Sequence, residues 1–303
     1  MSFIKKSCLF VTHSKLFLRV ILAHIAPIIK DDETFIRLRW KLNMDYPLNL
    51  DNPRTFNEKL QWIKLHDRKP IYTAMVDKYE AKKYVANIIG EEYIIPTIAV
   101  YDKVEDIDFD ALPNQFVLKW THDSGGLVIC KDKSKLNVVE AIKKLKKGER
   151  SHYFWRSREW PYKNVRPRII AEQYMEDENG CELKDYKIFC FNGETKIIQL
   201  DFDRFSGHKK NLYSIDWKLL PFSFNYPSHP EINFEKPQKL SEMLKIAGKL
   251  SEGRAFLRVD LYWTGKRIYF GELTFFPASG LGKFDPVKWD YELGEMMNLP
   301  KNA

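Results

Sequence analysis

The stretch that decides the fold lies near the C-terminus and reads Arg258-Val259-Asp260-Leu261-Tyr262-Trp263-Thr264-Gly265-Lys266-Arg267-Ile268-Tyr269-Phe270-Gly271-Glu272-Leu273-Thr274. Apolar and polar residues alternate on both sides of the break at residues 264–266, which is typical of two strands joined by a turn. A three-residue loop with Gly265 at its centre would supply the left-handed backbone that such loops need. The pattern therefore predicts a β-hairpin.

This hairpin would have one charged face and one apolar face. With a three-residue loop, Asp260 would face Phe270 and Arg258 would face Glu272, and opposed residues share a side of the ribbon. The charged side would then hold both carboxylates, Arg258 and Thr274. Two carboxylates on one face suit a hard cation such as Mg²⁺, which prefers oxygen ligands. A surface hairpin with a charged outer face is the alternative, and a two-residue turn would split the acids onto opposite faces.

The composition indicates a globular chain with a large core. The chain has 303 residues, 44% of them apolar, and a formal charge of +8. This positive balance favours anionic partners such as nucleotide phosphates, acidic sugars or an anionic membrane face, and no nucleic-acid-binding motif is present. Four cysteines without CxxC spacing favour a reducing cytoplasm over a secreted disulfide framework.

The N-terminal residues favour a packed helix over a signal peptide or a membrane span. The apolar run that begins at Cys8 ends at Thr12, and the next run, residues 16–29, is interrupted by Arg19 and broken by Pro27. A spanning helix needs about 20 apolar residues. The alternative is a basic, amphipathic segment over residues 3–29 that makes peripheral contact with the inner face of the membrane.

Helices and strand pairs alternate in blocks along the rest of the chain. Helices are predicted over residues 3–30, 33–43, 55–65, 77–89, 138–147 and 240–251, and strands over 97–101, 114–120, 127–131, 169–174, 185–191 and 195–201. This order favours an α+β fold with two lobes rather than a doubly wound parallel sheet. The Rossmann and P-loop glycine signatures are both missing.

A second signal combines a strand, a lysine and a glycine loop. Lys119 stands in the predicted strand, and the loop His122-Asp123-Ser124-Gly125-Gly126 follows it. Glycine amides and the Ser124 hydroxyl can crowd an anion, and Lys119 would place its charge on phosphates. A plain hairpin with a glycine turn is the alternative.

Two weaker signals complete the pattern. Asp77 is a predicted helix N-cap, which leaves Lys78 at the start of the helix, where it opposes the helix dipole. Lys78 is therefore a candidate for another task, and a solvated lysine is the alternative. The apolar strand that ends in Glu172-Gln173-Tyr174-Met175 offers backbone amides and Met175 for an adenine, with Glu172 accepting from its amino group.

The order and spacing of these segments resemble the ATP-grasp superfamily and, within it, the TupA-like proteins of bacterial surface-polysaccharide gene sets. The resemblance runs from about Lys59 to the end. It is carried by Phe56-Asn57-Glu58-Lys59-Leu60-Gln61-Trp62, Asp77-Lys78-Tyr79-Glu80, Leu112-Pro113-Asn114-Gln115-Phe116-Val117-Leu118-Lys119, Arg158-Glu159-Trp160-Pro161-Tyr162 and Gly282-Lys283-Phe284-Asp285-Pro286.

This resemblance implies an ATP-grasp fold, in which two α+β lobes with antiparallel sheets clamp ATP. A helical N-terminal extension would cover residues 1–66, and the ATP-grasp domain would cover 67–303. Within that domain, the smaller lobe would span about 90–170 and the larger lobe about 171–298.

The resemblance also implies roles for individual residues. ATP would contact Lys78, Lys119, His122, Ser124, Gly125, Gly126, the adenine hinge Glu172, Gln173, Tyr174 and Met175, and Asp185 at the ribose. One or two Mg²⁺ would be held by Asp260, Glu272 and Thr274, although the superfamily usually has Asn at the last position. Arg258 and Lys119 would act on the transferring phosphoryl group.

The implied activity is that of a carboxylate–amine ligase, which forms an acyl phosphate and then joins an amino acid to a uronic acid-containing glycan of a capsule, O-antigen or teichuronopeptide. Candidates for gripping the anionic substrate are Arg158, Arg168, Arg204 and Lys283, each of which is alternatively a structural charge. A glycosyltransferase using a nucleotide sugar at Asp201-Phe202-Asp203 is the main alternative. A non-catalytic, nucleotide-sensing partner of polysaccharide-assembly proteins is a third interpretation.

Overall fold

The computed structural model of the protein describes residues 15–123, 125–149, 152–178, 183–202 and 207–300. Five helices come first: α1 (residues 15–25), α2 (Asp32–Asn43), α3 (Phe56–His66), α4 (Ile71–Val76) and α5 (Glu80–Ile89). α3 begins at a capping box, in which Thr55 accepts from the amide of Glu58 and the Glu58 side chain accepts from the amide of Thr55. This pair satisfies two amides that the helix leaves open, and it confirms the predicted helix start.

A four-stranded antiparallel sheet forms the smaller lobe. Its strands are β1 (Thr97–Tyr101), β2 (Phe116–Trp120), β3 (Val128–Cys130) and β4 (Ile169–Gln173), in the order β1-β4-β2-β3. α6 (Val138–Glu149) covers one face, where Leu145 packs with Leu118 and Trp120. The short helix α7 (Tyr153–Ser157) follows.

A five-stranded antiparallel sheet forms the larger lobe. It contains β5 (Asp185–Phe191), β6 (Glu194–Phe202), β7 (Lys209–Ser214), β9 (Phe256–Trp263) and β10 (Ile268–Thr274), in the order β10-β9-β5-β6-β7, while β8 (Ser223–Phe224) pairs with β11 (Phe284–Asp285). α8 (Leu240–Ser251) packs on β5, β6 and β9, and α9 (Lys288–Glu295) packs on α3. The two antiparallel sheets with their helices confirm the predicted α+β fold.

The lobes divide at slightly different places from those expected. β4 belongs wholly to the four-stranded sheet, so the chain changes sheet after Gln173 rather than at residue 171. α3, which the sequence placed in an N-terminal extension, packs Phe56, Leu60 and Ile63 into the core of the larger lobe. The Phe56 ring meets the ring of Phe256 edge-on at 4.9 Å. α3 is therefore part of the core that supports the five-stranded sheet.

The first two helices are fixed to the rest of the protein by a buried arginine. Arg158 is fully buried, pairs with Asp32 at 2.9 Å and donates to the carbonyls of Ala26 and Ile29 at 2.8 and 2.6 Å. Its guanidinium also lies over the ring of Phe35, 4.3 Å from the centroid. The prediction that Arg158 grips a substrate is wrong, because these contacts occupy the guanidinium and shut it off from solvent.

None of the helices in the described part of the chain is both long enough and apolar enough to cross a membrane.

We predict that Arg158→Ala lowers the free energy of unfolding by about 3 to 5 kcal/mol, because it removes the partner of a carboxylate and two carbonyls in a buried site. Urea denaturation of the purified chain measures this change. Arg37→Ala is the matched control: Arg37 pairs with Glu33 at 2.7 Å on the exposed side of α2, and such surface pairs contribute at most about 1 kcal/mol. Equal losses in both variants would contradict the anchoring role.

Candidate functional site

The predicted hairpin forms, but its register differs from the expected one. Trp263 pairs with Ile268, one residue further along than predicted, so the loop has four residues, 264–267. Phe270, which we expected on the charged face, pairs with Leu261 and is buried. A four-residue loop would by itself place the two carboxylates on opposite faces, because side chains alternate along each strand.

A β-bulge restores the shared face. The pairing shifts by one residue between Phe270 and Glu272, so Asp260 faces Glu272 and Arg258 faces Thr274. A bulge adds one unpaired residue to one strand, which changes the face of every residue beyond it. That residue is Gly271, where a Cβ atom would lie only 3.0 Å from the carbonyl oxygen of Asp260. The four predicted side chains thus share a side for a different reason from the one expected.

Arg258 holds this charged face together. Its Nε donates to Asp260 Oδ1 at 2.7 Å, and its Nη2 donates to Asp260 Oδ2 at 2.7 Å, to Glu272 Oε1 at 3.0 Å and to Thr274 Oγ1 at 3.0 Å. The two carboxylates therefore lie within two hydrogen-bond lengths of each other. Asp260 is 1% exposed, whereas the Glu272 side chain is 45% exposed, so Glu272 is the more accessible of the two predicted metal ligands.

The two carboxyl groups differ in their proton affinity. Burial raises the pKa of Asp260 to about 6, although Arg258 and Lys187 oppose the shift. Desolvation of the partly exposed Glu272 carboxylate would also raise its pKa, but Arg258 and Lys187 outweigh this effect and lower that pKa to about 2. The same carboxylates raise the pKa of Arg258 against the effect of its burial. At neutral pH the face carries an ionised Glu272 beside a cationic Arg258.

A buried lysine that we did not predict extends the charged face across the sheet. Lys187 Nζ donates to Asp260 Oδ2 at 2.7 Å and pairs with Asp185 on its own strand, and Asp185 faces Asp201 on β6. Burial would lower the pKa of Lys187, but Asp185 and Asp260 outweigh it and raise that pKa. The Asp-x-Lys alternation on β5 was the available signal, since period-two spacing puts both side chains on one face.

Three charged side chains form a second cluster on the four-stranded sheet. Glu172 is 4% exposed and binds Lys119 Nζ at 2.5 Å and Lys82 Nζ at 2.6 Å. Burial would raise the pKa of Glu172, but the two ammonium groups outweigh it and lower that pKa. The structure thus places Glu172 as the partner of the phosphate-binding candidate Lys119. Its contact with an adenine amino group stays a prediction.

Lys78 lies next to the predicted glycine loop. Asp77 accepts from the amides of Tyr79 and Glu80 at 2.8 and 3.2 Å, so it caps the turn before α5. The helix itself begins at Glu80 with Tyr79 as its N-cap, so Lys78 lies before the helix and not at its start as expected. Lys78 Nζ donates to the carbonyl of Asp123, and burial lowers the pKa of Lys78 although Glu272 opposes the shift.

The loop itself is described except at Ser124. The ring of His122 meets the ring of Trp120 edge-on at 5.2 Å and is buried. Gly125 and Gly126 have φ angles of 106° and 63°, which only glycine adopts readily. The predicted contribution of Ser124 lies outside the described residues. The loop therefore has the open backbone that an anion-binding role requires, and its contact with phosphates stays a prediction.

A cleft of about 1020 Å³ joins the two clusters. Its lining includes the predicted residues Lys78, Lys119, Gly125, Glu172, Gln173, Tyr174, Met175, Asp185, Asp260 and Glu272. Apolar walls come from Ile95, Val117, Leu127, Ile129 and Leu136, and further cations from Lys131, Lys135 and Lys187. Residues from both sheets thus share one cavity, which is large enough for a small-molecule ligand.

The predicted substrate-gripping residues lie elsewhere. Arg168 pairs with Asp77 and Glu80 at 2.9 Å each, and Lys283 pairs with Asp45 at 2.6 Å on the surface. Neither residue lines the cleft, and both have acidic partners within the protein, so their contact with a substrate stays a prediction. Arg204 lies outside the described residues.

The proposed DxD motif is only partly described, because Asp203 lies outside the described residues. Asp201 is buried, and its Oδ1 accepts from Gln199 Nε2 at 2.6 Å. Within 15–123, 125–149, 152–178, 183–202 and 207–300, no three His, Cys, Asp or Glu side chains form a group that could hold a metal ion. A metal at the charged face would have to be completed by other oxygen donors.

Two tyrosines that were not among the predicted site residues, Tyr153 and Tyr162, lie within electrostatic reach of Glu272, and Tyr162 belongs to a stretch that carries the family resemblance. The rings of Tyr153 and Tyr162 are 4.6 Å apart, and a hydrogen bond joins Tyr153 to Ser279 in the loop after β10. Glu159 and burial raise the pKa of Tyr153, burial raises the pKa of Tyr162, and Glu272 adds to both shifts. Both phenols therefore stay protonated at neutral pH and can donate hydrogen bonds.

A family model described as TupA-like ATP-grasp matches residues 58–298, which is most of the chain. The chain belongs to the TupA-like ATP-grasp family. This match confirms the resemblance seen in the sequence and, together with the two antiparallel sheets, the ATP-grasp fold. The cleft between the sheets lies within the matched residues.

Solved structures with similar folds include two D-alanine–D-alanine ligases. The enzyme from Bacillus anthracis in complex with ATP is 16% identical with a TM-score of 0.38, and covers 72% of this chain and 55% of its own. The Helicobacter pylori enzyme is 14% identical with a TM-score of 0.39, and covers 74% of this chain and 61% of its own. This TupA-like chain thus spans between half and two thirds of their length. Among the curated proteins, none matches the chain.

A third similar structure is the ATP-grasp ligase PsnB complexed with a minimal precursor, Mg and ADP. It is 10% identical to this chain with a TM-score of 0.38, and the match covers 83% of this chain and 65% of PsnB. The family match, rather than these distant likenesses, identifies the TupA-like chain.

We predict that Glu172→Gln costs about 3 kcal/mol of unfolding free energy at neutral pH, because it leaves two buried ammonium groups without their carboxylate. The pKa of Glu172 is lowered in the folded protein, so its stabilisation is complete above the unfolded value of 4.5 and is lost as the pH falls through the folded value. Urea denaturation of both proteins at a series of pH values measures this difference.

Glu140→Gln is the control for this experiment. Glu140 pairs with Lys143 at 3.7 Å on the exposed side of α6, and we expect a change of at most about 0.5 kcal/mol. A difference between wild type and Glu172→Gln that stays constant down to acid pH would rule out the ion-pair role.

Proposed function

We propose that this protein is an ATP-dependent carboxylate–amine ligase that acts through an acyl phosphate in the biosynthesis of a bacterial surface polysaccharide. The observation that supports this proposal best is the cleft, because Lys78, Lys119, Asp260 and Glu272 line it together with apolar walls. Cations for phosphates, carboxylates for a metal and an apolar slot for a purine are the parts that phosphoryl transfer needs.

The proposed reaction has two steps. In the first, a substrate carboxylate oxygen attacks the terminal phosphorus of ATP, the bond to the bridging oxygen breaks, and ADP leaves. In the second, an amine attacks the acyl carbon, phosphate leaves, and the amine loses a proton to give an amide. Lys78 and Lys119 would hold the phosphates, and Arg258 would stabilise the charge that develops during transfer. No side-chain nucleophile is required.

Asp260 and Glu272 would hold Mg²⁺, with Thr274 as a further oxygen donor. Their carboxylate oxygens are the ligands that Mg²⁺ prefers, and the ion would supply charge neutralisation to the phosphates. Arg258 already donates hydrogen bonds to both carboxylates, so a divalent cation alone has to compete with a guanidinium. We therefore expect the metal to bind together with ATP, whose phosphates offer Arg258 a new partner.

The acceptor would lie against Tyr153 and Tyr162. Glu272 affects the pKa of both phenols, so the two hydroxyls are within electrostatic reach of the proposed transfer site. Protonated phenols donate hydrogen bonds to a carboxylate, which is the group that the first step activates. We infer that the acceptor is a uronic acid-containing glycan and that the amine comes from an amino acid.

We predict micromolar, Mg²⁺-dependent ATP binding in isothermal titration calorimetry and little heat when Mg²⁺ is added alone. Glu272→Gln should weaken ATP–Mg²⁺ binding by about tenfold or more, since a charged ligand interaction contributes about 1.5 to 3 kcal/mol. Glu292→Gln on the exposed side of α9 is the control and should bind as wild type does. Equal binding by Glu272→Gln would remove the metal site from the proposal.

The same titration separates the glycosyltransferase alternative. A nucleotide sugar that binds while ATP does not, with binding lost in Asp201→Asn, would replace the ligase proposal. ATP binding without turnover on any substrate would instead favour the nucleotide-sensing interpretation.

We predict that hydroxylamine traps the acyl phosphate as a hydroxamate when ATP, Mg²⁺ and a uronic acid oligosaccharide are supplied. Tyr153→Phe should raise the KM for the oligosaccharide by about tenfold while the Kd for ATP stays unchanged, because only the acceptor loses a donor. Tyr291→Phe on exposed α9 is the control. A change in the Kd for ATP, with the KM unaffected, would place Tyr153 outside the acceptor site.

A further inference from the structure

The outward side of α1 and the turn after it is apolar and exposed. Phe17 is 65% exposed and Ile28 is 76% exposed, and Leu16, Val20, Ile21 and Ile25 are each more than one third exposed. We call these six residues the N-terminal apolar face. Soluble proteins rarely leave so many large apolar side chains together in water, and such a patch marks an interaction surface.

The packed side of α1 explains why this face points away from the protein. Leu22 and Ala26, one helical turn apart, are buried in a small cluster with Phe35, and Arg19 donates to the carbonyl of Leu42 at 2.6 Å. At 100° per residue, these positions lie on the side opposite Phe17 and Ile21. On its inner side α1 thus buries only two apolar residues, and its larger apolar surface stays exposed to solvent.

The net charge of the N-terminal sequence favours an anionic partner for this face. Residues 1–30 contain Lys5, Lys6, Lys15, Arg19 and Lys30 and no aspartate or glutamate, so they supply five of the eight net positive charges of the chain. Each basic residue near an anionic bilayer contributes about 1 kcal/mol of attraction. An amphipathic helix with an exposed apolar side in a basic segment binds in the interfacial plane of such a bilayer.

We propose that the N-terminal apolar face docks on an anionic lipid bilayer. The face is rigidly joined to the catalytic lobes, because Arg158 binds the carbonyls of Ala26 and Ile29. Docking would therefore fix the orientation of the whole protein on the membrane. If the proposed function is also correct, the acceptor site would be held close to lipid-linked glycans, but the docking itself does not depend on that reaction.

The test is co-sedimentation of the full chain with vesicles. We expect binding to vesicles of phosphatidylcholine mixed with phosphatidylglycerol, weaker binding to phosphatidylcholine alone, and a decrease in binding as salt rises. Phe17→Glu combined with Ile21→Glu should weaken binding by about tenfold or more, because it removes two inserted apolar side chains. Ile28→Glu alone provides an independent variant.

Val139→Glu is the matched control. Val139 is 74% exposed on α6 of the smaller lobe, so the substitution has the same chemistry on a helix outside the face, and its vesicle binding should equal that of wild type. Thermal unfolding checks that every variant is folded. Binding that is absent in wild type, or that falls equally in Val139→Glu, would overturn the proposal. A dimer in light scattering that Phe17→Glu dissolves, without vesicle binding, would assign the face to a second copy instead.

Discussion

The buried ion pair between Arg258 and Asp260 is the interaction on which the site depends. A carboxylate that is 1% exposed stays charged only when its desolvation is offset by close cations and hydrogen bonds. Arg258 supplies two of these bonds and Lys187 a third. Arg258 and Asp260 stand on β9, whereas Lys187 stands on the neighbouring β5 and Glu272 on the neighbouring β10, so a slip in either strand pairing would break the contacts of Lys187 or Glu272. The charge balance of the cleft therefore depends on the strand pairing of the five-stranded sheet.

The bulge at Gly271 shows how closely the chain meets this constraint. Alternation predicted correctly that Arg258, Asp260, Glu272 and Thr274 share a face, but the predicted loop length and the predicted side for Phe270 were wrong. Loop length and bulge each shift the face by one residue, and their effects cancel. The sequence pattern shows which residues are apolar but not which residues pair. It therefore reveals the final face of each side chain, but neither the loop length nor the bulge. The fold and the acidic face could thus be predicted, whereas the register could not.

Long-range partners were the other part that the sequence did not reveal. Arg158, Arg168 and Lys283 looked like free cations, but their acidic partners come from distant segments, such as Asp32 for Arg158. A cation on its own gives no sign of whether it faces a ligand or a carboxylate of the same protein. Lys78 and Lys119 were selected correctly as residues of the cleft, because a second local pattern marked each position. Lys78 follows a predicted helix cap, and Lys119 precedes a glycine loop.

A second buried network connects the helices to the loop that follows the acidic hairpin. Lys64 on α3 donates to the carbonyl of Ser279 at 2.8 Å, and the Ser279 hydroxyl donates to Glu159 at 2.7 Å. Ser279 has a φ of 57°, an uncommon conformation for a residue other than glycine, so the loop depends on these contacts to keep its shape. Burial lowers the pKa of Lys64 to about 7 and raises the pKa of Glu159, so burying these two groups disfavours their charged forms.

These unfavourable burials are consistent with a need to hold the loop in one conformation near Glu272. The same loop hydrogen-bonds Tyr153, and Glu159 directly follows the arginine that anchors α1 and α2. One continuous set of buried contacts therefore runs from the N-terminal helices, through Arg158 and Glu159, to the loop next to the proposed metal ligands. If the N-terminal apolar face docks on a membrane, these contacts would fix the position of the proposed active site relative to that membrane without a conformational change.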